Sequence, residues 1–364
     1  MRRPKESSHK PDYVLLAVAG FLVLLGIIAL TSVSTAFSLV QKGSTVFYLS
    51  WHISFGVLGG SILGLLAYKI SLSRLKTKSP QLLFLNLFLM LLVFLPKIGV
   101  TSGGAKRWID LGFATFQPSE FLKITTILYL AFWLSQRQTK LFSTFAAFFT
   151  ILGIIGALLV LQRDISTLVV ITICALAIYF LSGSSLKHIL LLIPVGLAAL
   201  AALIKFEAYR LERFLVFIKP DIDPLGLSYQ LKQALIAIGS GGIFGRSPGM
   251  SLQKFSLPQP MSDSIFAVIA EEWGFLGSLF LIGLFLTFAW RGIVIVKKTQ
   301  DKFYQLTALG ITVWLTLQAF VNIGSMVGIL PLTGIPLPFI SYGGSALMAE
   351  LAGLGILLNI SKHA

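Results

Sequence analysis

What most constrains this chain is a succession of long, nearly uninterrupted apolar runs. A helix crossing the hydrocarbon of a bilayer needs roughly 17–25 apolar residues, and runs of that kind place about ten spans near 12–31, 46–68, 81–95, 118–134, 143–161, 165–182, 189–204, 265–290, 306–328 and 345–360, the third of them short. A soluble core does not need such runs, and an aqueous surface would not tolerate them. Composition agrees: 12% of the 364 residues are charged, about half the usual ~25% of soluble domains, and mean hydropathy is +0.88. A soluble enzyme is excluded. So is disorder, because 29 Phe residues do not fit a chain of low hydrophobicity. The single cysteine, Cys174, excludes an intramolecular disulfide. The expected fold class is all-α, a polytopic membrane protein forming one domain over residues 1–364, with a tail at 1–11 and a large loop at 205–264 between helices 7 and 8.

The net charge of +15 suggests nucleic acid until its distribution is followed. With the N-terminus inside, the inner segments hold sixteen basic residues: Arg2, Arg3, Lys5, Lys10, Lys69, Arg74, Lys76, Lys78, Arg137, Lys140, Lys187, Arg291, Lys297, Lys298, Lys302 and Lys362. The short outer loops hold five, Lys42, Lys97, Lys106, Arg107 and Arg163. The positive-inside rule therefore puts both termini in the cytoplasm, and the basic residues answer to membrane lipids rather than nucleic acid. No small-residue cleavage site stands out after the basic N-terminus, which reads as the lead-in to a retained first helix. The fourteen acidic residues behave differently. Apart from Glu6, Asp12 and Asp301, they fall in outer loops or inside spans, where charges are costly unless paired or lining a polar cavity. Any chemistry is expected to face outward.

Three outer segments carry most of the unusual sequence. The first, GAKRWIDLGFATFQPSE at 104–120, sets Lys106 and Arg107 beside Trp108, then opens a helix at Pro118 with Glu120 and Lys123 three apart on one face. It is either an interfacial anchor or a cationic site for a phosphorylated lipid head group, with Glu120 and Lys123 lining a cavity. The second is the long loop. Arg210 and Arg213 share one helical face, 229–238 is amphipathic, and the loop ends GSGGIFGRSPGMSLQKFSLPQPMSDS, with Arg246 and Lys254 as candidate phosphate contacts. Its glycines would let backbone approach a ligand closely, or serve loop conformation alone. They lack the strand-turn-helix setting of a nucleotide site. Asp263 closes this loop just before an apolar run. It is either an ordinary helix N-cap or a general base acting on a lipid-linked polar substrate. Glu271 and Glu272, two turns on, are either paired and structural or part of a polar cavity.

The third segment, PLTGIPLPFISYGGS at 331–345, has three prolines and paired glycines and includes Ser341 and Tyr342 as candidate site residues. It reads as rigid non-helical backbone, tolerated at that depth only where protein or water satisfies it. His9, His52, His188 and His363 are scattered along the chain, so no metal site is proposed.

Taken together, GAKRWIDLG with FQPSEFLK, YRLERFLVFIKPDIDPLGLSYQLKQALIAIGSGGIFG, SLQKFSLPQPMSDSIFAVIAEEWGFLG and LPLTGIPLPFISYGGSA resemble the SEDS family (shape, elongation, division and sporulation), which includes FtsW and RodA. The resemblance spans almost the whole chain. It implies ten transmembrane helices and a peptidoglycan glycosyltransferase on the outer face of the bacterial plasma membrane. Such an enzyme polymerises lipid II into β-1,4 glycan strands and releases undecaprenyl pyrophosphate. By the same resemblance Asp263 is the essential aspartate, Trp108 the loop tryptophan, Glu120 and Lys123 the cavity pair, and Arg107 and Arg213 the substrate-positioning arginines.

The segment MSDSIFAVIAEEWG is more similar to the division-septum branch, FtsW, than to the elongation branch, RodA. The expected partners are a class B penicillin-binding transpeptidase and other cell-division proteins. No cofactor is identified; a divalent cation remains open as a counter-ion of the diphosphate. Where the family usually has P-D-L-G-T, this chain has Arg163-Asp164-Ile165-Ser166-Thr167, which leaves the role of Asp164 open. Gln259 replaces a common acid, Ala346 a serine, and Gly245-Arg246-Ser247-Pro248-Gly249 a glycine-leucine motif. A lipid flippase or a division scaffold would want much of the same sequence. They differ from a polymerase in leaving Asp263 dispensable for bond formation.

Overall fold

The computed structural model describes residues 10–102, 104–137, 141–184, 188, 190, 196, 216–218 and 227–364. Within these the chain forms α1 (Tyr13–Lys42), α2 (Phe47–Lys69), α3 (Leu72–Leu92), α4 (Pro118–Ser135), α5 (Phe142–Leu161), α6 (Ile165–Leu181), α7 (Leu227–Ser240), α8 (Ile265–Lys298), α9 (Lys302–Met326) and α10 (Gly344–Ser361). Six of them, α1, α2, α5, α8, α9 and α10, are long and apolar enough to cross a membrane. This is a polytopic membrane fold. The span expected at 189–204 lies outside the described residues.

The helices differ from the expected spans where packing, not hydropathy, sets their ends. α1 runs to Lys42 and stops at Gly43, whose left-handed φ of 69° supplies the C-cap. α3 starts at Leu72, so Arg74, Lys76 and Lys78 are helical rather than in a loop. Between α3 and α4 lies a small antiparallel sheet, β1 (Gly99–Ser102), β2 (Ala105–Asp110) and β3 (Thr115–Phe116), in the order β1-β2-β3. The fold is otherwise helical as expected; in the first outer segment this small sheet carries Trp108 on its middle strand, opposite Val100.

α9 and α10 form the centre of the bundle. Their spanning windows are 67% and 78% buried, against 17% for α2, whose outward side chains suit lipid. α2 nevertheless packs closely on α10. A Cβ at Gly355 would fall 2.1 Å from the Gly64 carbonyl, so only small residues allow that approach. The first half of α2 includes a π-helical stretch, His52–Gly59. At one end of the bundle Asp12 caps α1 through Leu15 N (2.9 Å) and pairs with Arg291 of α8 (2.5 Å).

α8 is broken at Gly274, whose φ of 67° and ψ of −164° are accessible only to glycine. Backbone groups freed by such a break must find partners inside the protein. The glycine-rich loop provides them: Phe275 N donates to Gly242 O (2.8 Å) and Leu276 N to Ile243 O (3.2 Å), while Arg246 N and Ser247 N donate to the carbonyls of Glu271 and Glu272. Gly241 and Gly245 are needed because a Cβ on either would sit 2.1–2.2 Å from an α8 carbonyl. What these glycines approach is the helix backbone itself.

Candidate active site

Two chemistries meet at the end of the bundle that carries the sheet and the α7–α8 loop. The first is a buried polar network. Pro118 opens α4, and within its first turn the carboxylate of Glu120 accepts from Lys123 Nζ at 2.8 Å, both side chains almost fully buried. Lys123 also donates to Gln318 Oε1 of α9 (2.9 Å) and lies 5.2 Å from the centre of the Trp314 ring. Trp314 Nε1 donates to the same Gln318 oxygen (2.8 Å). The amide nitrogen of Gln318 donates to Pro336 O (3.1 Å) and to Glu350 of α10 (3.4 Å). The other Glu350 oxygen accepts from Phe339 N (2.8 Å) and so holds a bulky residue at a left-handed φ of 64°.

That last bond explains the proline-rich segment. Residues 336–341 do not lie flat at the surface but dip into the bundle, where Phe339 and Ile340 abut α1. A Cβ at Gly26 would meet Ile340 Cα at 2.7 Å. Glu350 and Gln318 supply the partners that non-helical backbone requires at such depth.

The second chemistry is the turn that carries Asp263. The N-cap position of α8 is Ser264, not Asp263. Ser264 Oγ donates to Pro258 O (2.8 Å) and accepts from Gln230 of α7 (3.2 Å). Asp263 is the residue before that position and is half-buried. Its turn is fixed by three consecutive carbonyls. Met261 O accepts from Tyr342 N (2.8 Å), Ser262 O from Ser341 Oγ (2.7 Å), and Asp263 O from Asn322 Nδ2 (2.8 Å). The non-glycine residues with positive φ among the described residues are Lys97, Arg163, Ser247, Gln259 and Phe339. All are in segments at this end of the bundle, the pattern of strain held by a functional site.

Comparison with known proteins settles the family. A family model described as "Cell cycle protein", covering FtsW, RodA and SpoVE, matches residues 12–364. This chain belongs to the FtsW/RodA/SpoVE family. Stage V sporulation protein E of Bacillus subtilis is 35% identical over 97% of both chains. A probable peptidoglycan glycosyltransferase FtsW of Coxiella burnetii is 38% identical over 99% of both. A solved chain from a peptidoglycan synthase complex, described as coordinating polymerization and crosslinking, superposes with a TM-score of 0.80 at 30% identity, covering 96% of this chain and 97% of that one. Rod shape determining protein RodA of Thermus thermophilus gives 0.71 at 29%, covering 96% of each.

In this FtsW/RodA/SpoVE member the residues singled out from sequence differ in where the fold places them. At the sheet, Lys106 is exposed and Trp108 half-buried, while Arg107 reaches across to the carbonyls of Gln162 (3.4 Å) and Arg163. Arg246 is exposed and lies 3.9 Å from Glu271. Ser341 and Tyr342 brace the Asp263 turn, and Tyr342 packs edge-on against Tyr48. Arg210 and Arg213 lie outside the described residues.

The remaining ones are held within the protein. Lys254 is buried, and its ammonium donates to Ser32 O (3.2 Å) and Gly249 O (2.9 Å), so here it anchors the loop to α1 instead of lining the open surface. Glu271 accepts from Ser251 Oγ (2.5 Å), Leu252 N (3.1 Å) and Gln253 N (3.2 Å), and Glu272 from Ser32 Oγ and Ser251 N (3.4 Å). Of the two readings open for this pair, the geometry is the structural one. Asp164 caps α6 through Thr167 N (3.3 Å) and accepts from Ser119 Oγ (2.9 Å), which ties α6 to α4 despite the altered motif.

Sequence reasoning missed Gln318 and Asn322. The signal was present: two amides four apart within an apolar span share one helical face. Among the described residues no group of three or more His, Cys, Asp or Glu converges as metal ligands would.

Proposed function

We propose that this chain is a peptidoglycan glycosyltransferase of the division-septum type, working on lipid II at the outer face of the bacterial plasma membrane. The observation that carries the reading is Asp263: a half-buried acid just before the start of α8, on a turn braced through three successive carbonyls, at the end of the bundle that also bears Lys106, Arg107 and Arg246. In the reaction a sugar hydroxyl attacks the anomeric carbon of a lipid-linked sugar. The carbon–oxygen bond to the diphosphate breaks, the glycosidic bond forms, and the hydroxyl proton passes to Asp263. General-base catalysis of this kind contributes typically about 10²–10⁴-fold. Negative charge grows on the departing undecaprenyl pyrophosphate, and the basic side chains at this face stabilise it. Arg210 and Arg213 join that set on sequence grounds. A divalent cation has a place only as a counter-ion of the diphosphate.

Relatives named FtsW support the division branch. The synthase complex among the solved relatives supports a class B penicillin-binding transpeptidase as partner. The purified chain, with its transpeptidase and labelled lipid II, is expected to yield glycan ladders that Asp263→Asn abolishes while its melting temperature is unchanged. Ladders of wild-type intensity from Asp263→Asn would reject Asp263 as the base, whereas the absence of ladders from the wild-type chain would favour lipid transport or scaffolding.

A further inference from the structure

We propose that Asn322 of α9 is a positioning residue for Asp263, an inference that rests on the reading of Asp263 as the general base. Asn322 is 1% exposed. Its amide nitrogen donates to two carbonyls from different segments, Asp263 O at 2.8 Å and Ile335 O at 2.7 Å. Only the NH₂ end of the side chain can face two acceptors, so this pair fixes its orientation. The two carbonyls, from segments far apart in the chain, thus share one donor group. Asn322 Oδ1, by contrast, is buried with no partner among the described residues. An unpaired buried acceptor is unfavourable, so the side chain sits here at a cost to its own solvation, and what it secures is the approach of the Asp263 turn to the proline-rich segment.

The placement of Asn322 gives the clamp its reach. One helical turn earlier on the same face of α9, Gln318 is bonded to Lys123, Pro336 and Glu350. α9 is thus the rail on which the buried ion pair and the carboxylate-bearing turn are held in register. The other two braces of the turn, from Ser341 and Tyr342, act on Ser262 and Met261. Asn322 acts on the carbonyl of Asp263 itself. Misplacement of a reacting group by about 1 Å can cost on the order of 10²-fold in rate.

Asn359 supplies a matched control. It too is a buried asparagine, and it donates to two carbonyls, Ala67 O (3.3 Å) and Ile70 O (2.7 Å), at the opposite end of the bundle. Initial rates of lipid II polymerisation, measured over a range of substrate concentrations with the full-length chain and its transpeptidase, separate the possibilities. Asn322→Ala is expected to lower kcat about 10- to 100-fold with KM for lipid II kept within about twofold. Asn359→Ala is expected to lower the melting temperature and leave kcat unchanged. If Asn322→Ala does not fold, Asn322→Ser, which keeps one shorter donor, carries the same expectation. A wild-type kcat in whichever Asn322 variant folds, or equal kcat losses in the Asn322 and Asn359 variants, overturns the proposal. Asp263→Asn in the same assay keeps the two readings apart. If it is active, the base assignment fails; if it is inactive beside a fully active Asn322 variant, only the positioning role fails.

Discussion

Replacing Lys123 with methionine keeps most of the side-chain volume and removes only the ammonium. That ammonium touches Glu120 at 2.8 Å and Gln318 at 2.9 Å and lies over Trp314. Both charged side chains are at most 5% exposed, so water cannot take over when one partner is lost. Removing one member of a buried pair costs about 3–5 kcal/mol, because the remaining charge stays desolvated and uncompensated. Lys123→Met should therefore unfold at markedly lower temperature in detergent, with the destabilisation in that range by denaturant titration. The companion change Glu120→Gln removes the stranded charge, and the double variant Glu120→Gln/Lys123→Met should recover most of the loss, since neutral replacements of buried pairs are often close to neutral. A double-mutant cycle reads the coupling directly. Should Lys123→Met melt with the wild type, or the double variant be no more stable than the single one, the pair is solvated or open and the buried network is wrong.

Two further tests bear on the loop. Gly274→Ala places a Cβ 2.3 Å from Gly245 N in a conformation other residues avoid, so a loss of at least about 1–3 kcal/mol is expected. Gly153→Ala, where a Cβ meets nothing within 4 Å, should leave the melting temperature unaltered, and equal behaviour of the two would show that the break in α8 is not fixed by glycine. Lys254→Ala strips two carbonyls of their donor and should destabilise by about 1–3 kcal/mol without altering KM for lipid II. Arg246→Ala, at an exposed site, should do the opposite and raise KM, about fivefold for a contact worth about 1 kcal/mol. A reversal of these two phenotypes would mean that Lys254 meets the substrate.

Much of the architecture was legible in one dimension. The length of an apolar run fixes whether a helix can span, because hydrocarbon thickness is a fixed length and hydropathy is a local sum. The same locality made the helix ends unreliable. α3 begins at Leu72 because its basic first turns are helical, which no hydropathy window reports. The sheet that carries Trp108 arises from pairing between 99–102 and 105–110, with Ile109 and Asp110 pairing on to 115–116.

Asp263 stands out as a candidate from sequence because an acid between a basic glycine-rich loop and an apolar run is a local anomaly. Its partner does not. Asn322 is 59 positions away, and only the folded bundle brings its amide to the Asp263 carbonyl. Lys254 and Arg246 look alike as sequence, yet folding encloses one ammonium between two carbonyls and leaves the other cation at the surface. Residue type sets what a side chain can donate or accept. Which partner it meets, and whether water is shut out, depends on segments far apart in the chain, and that was decided only by the tertiary structure.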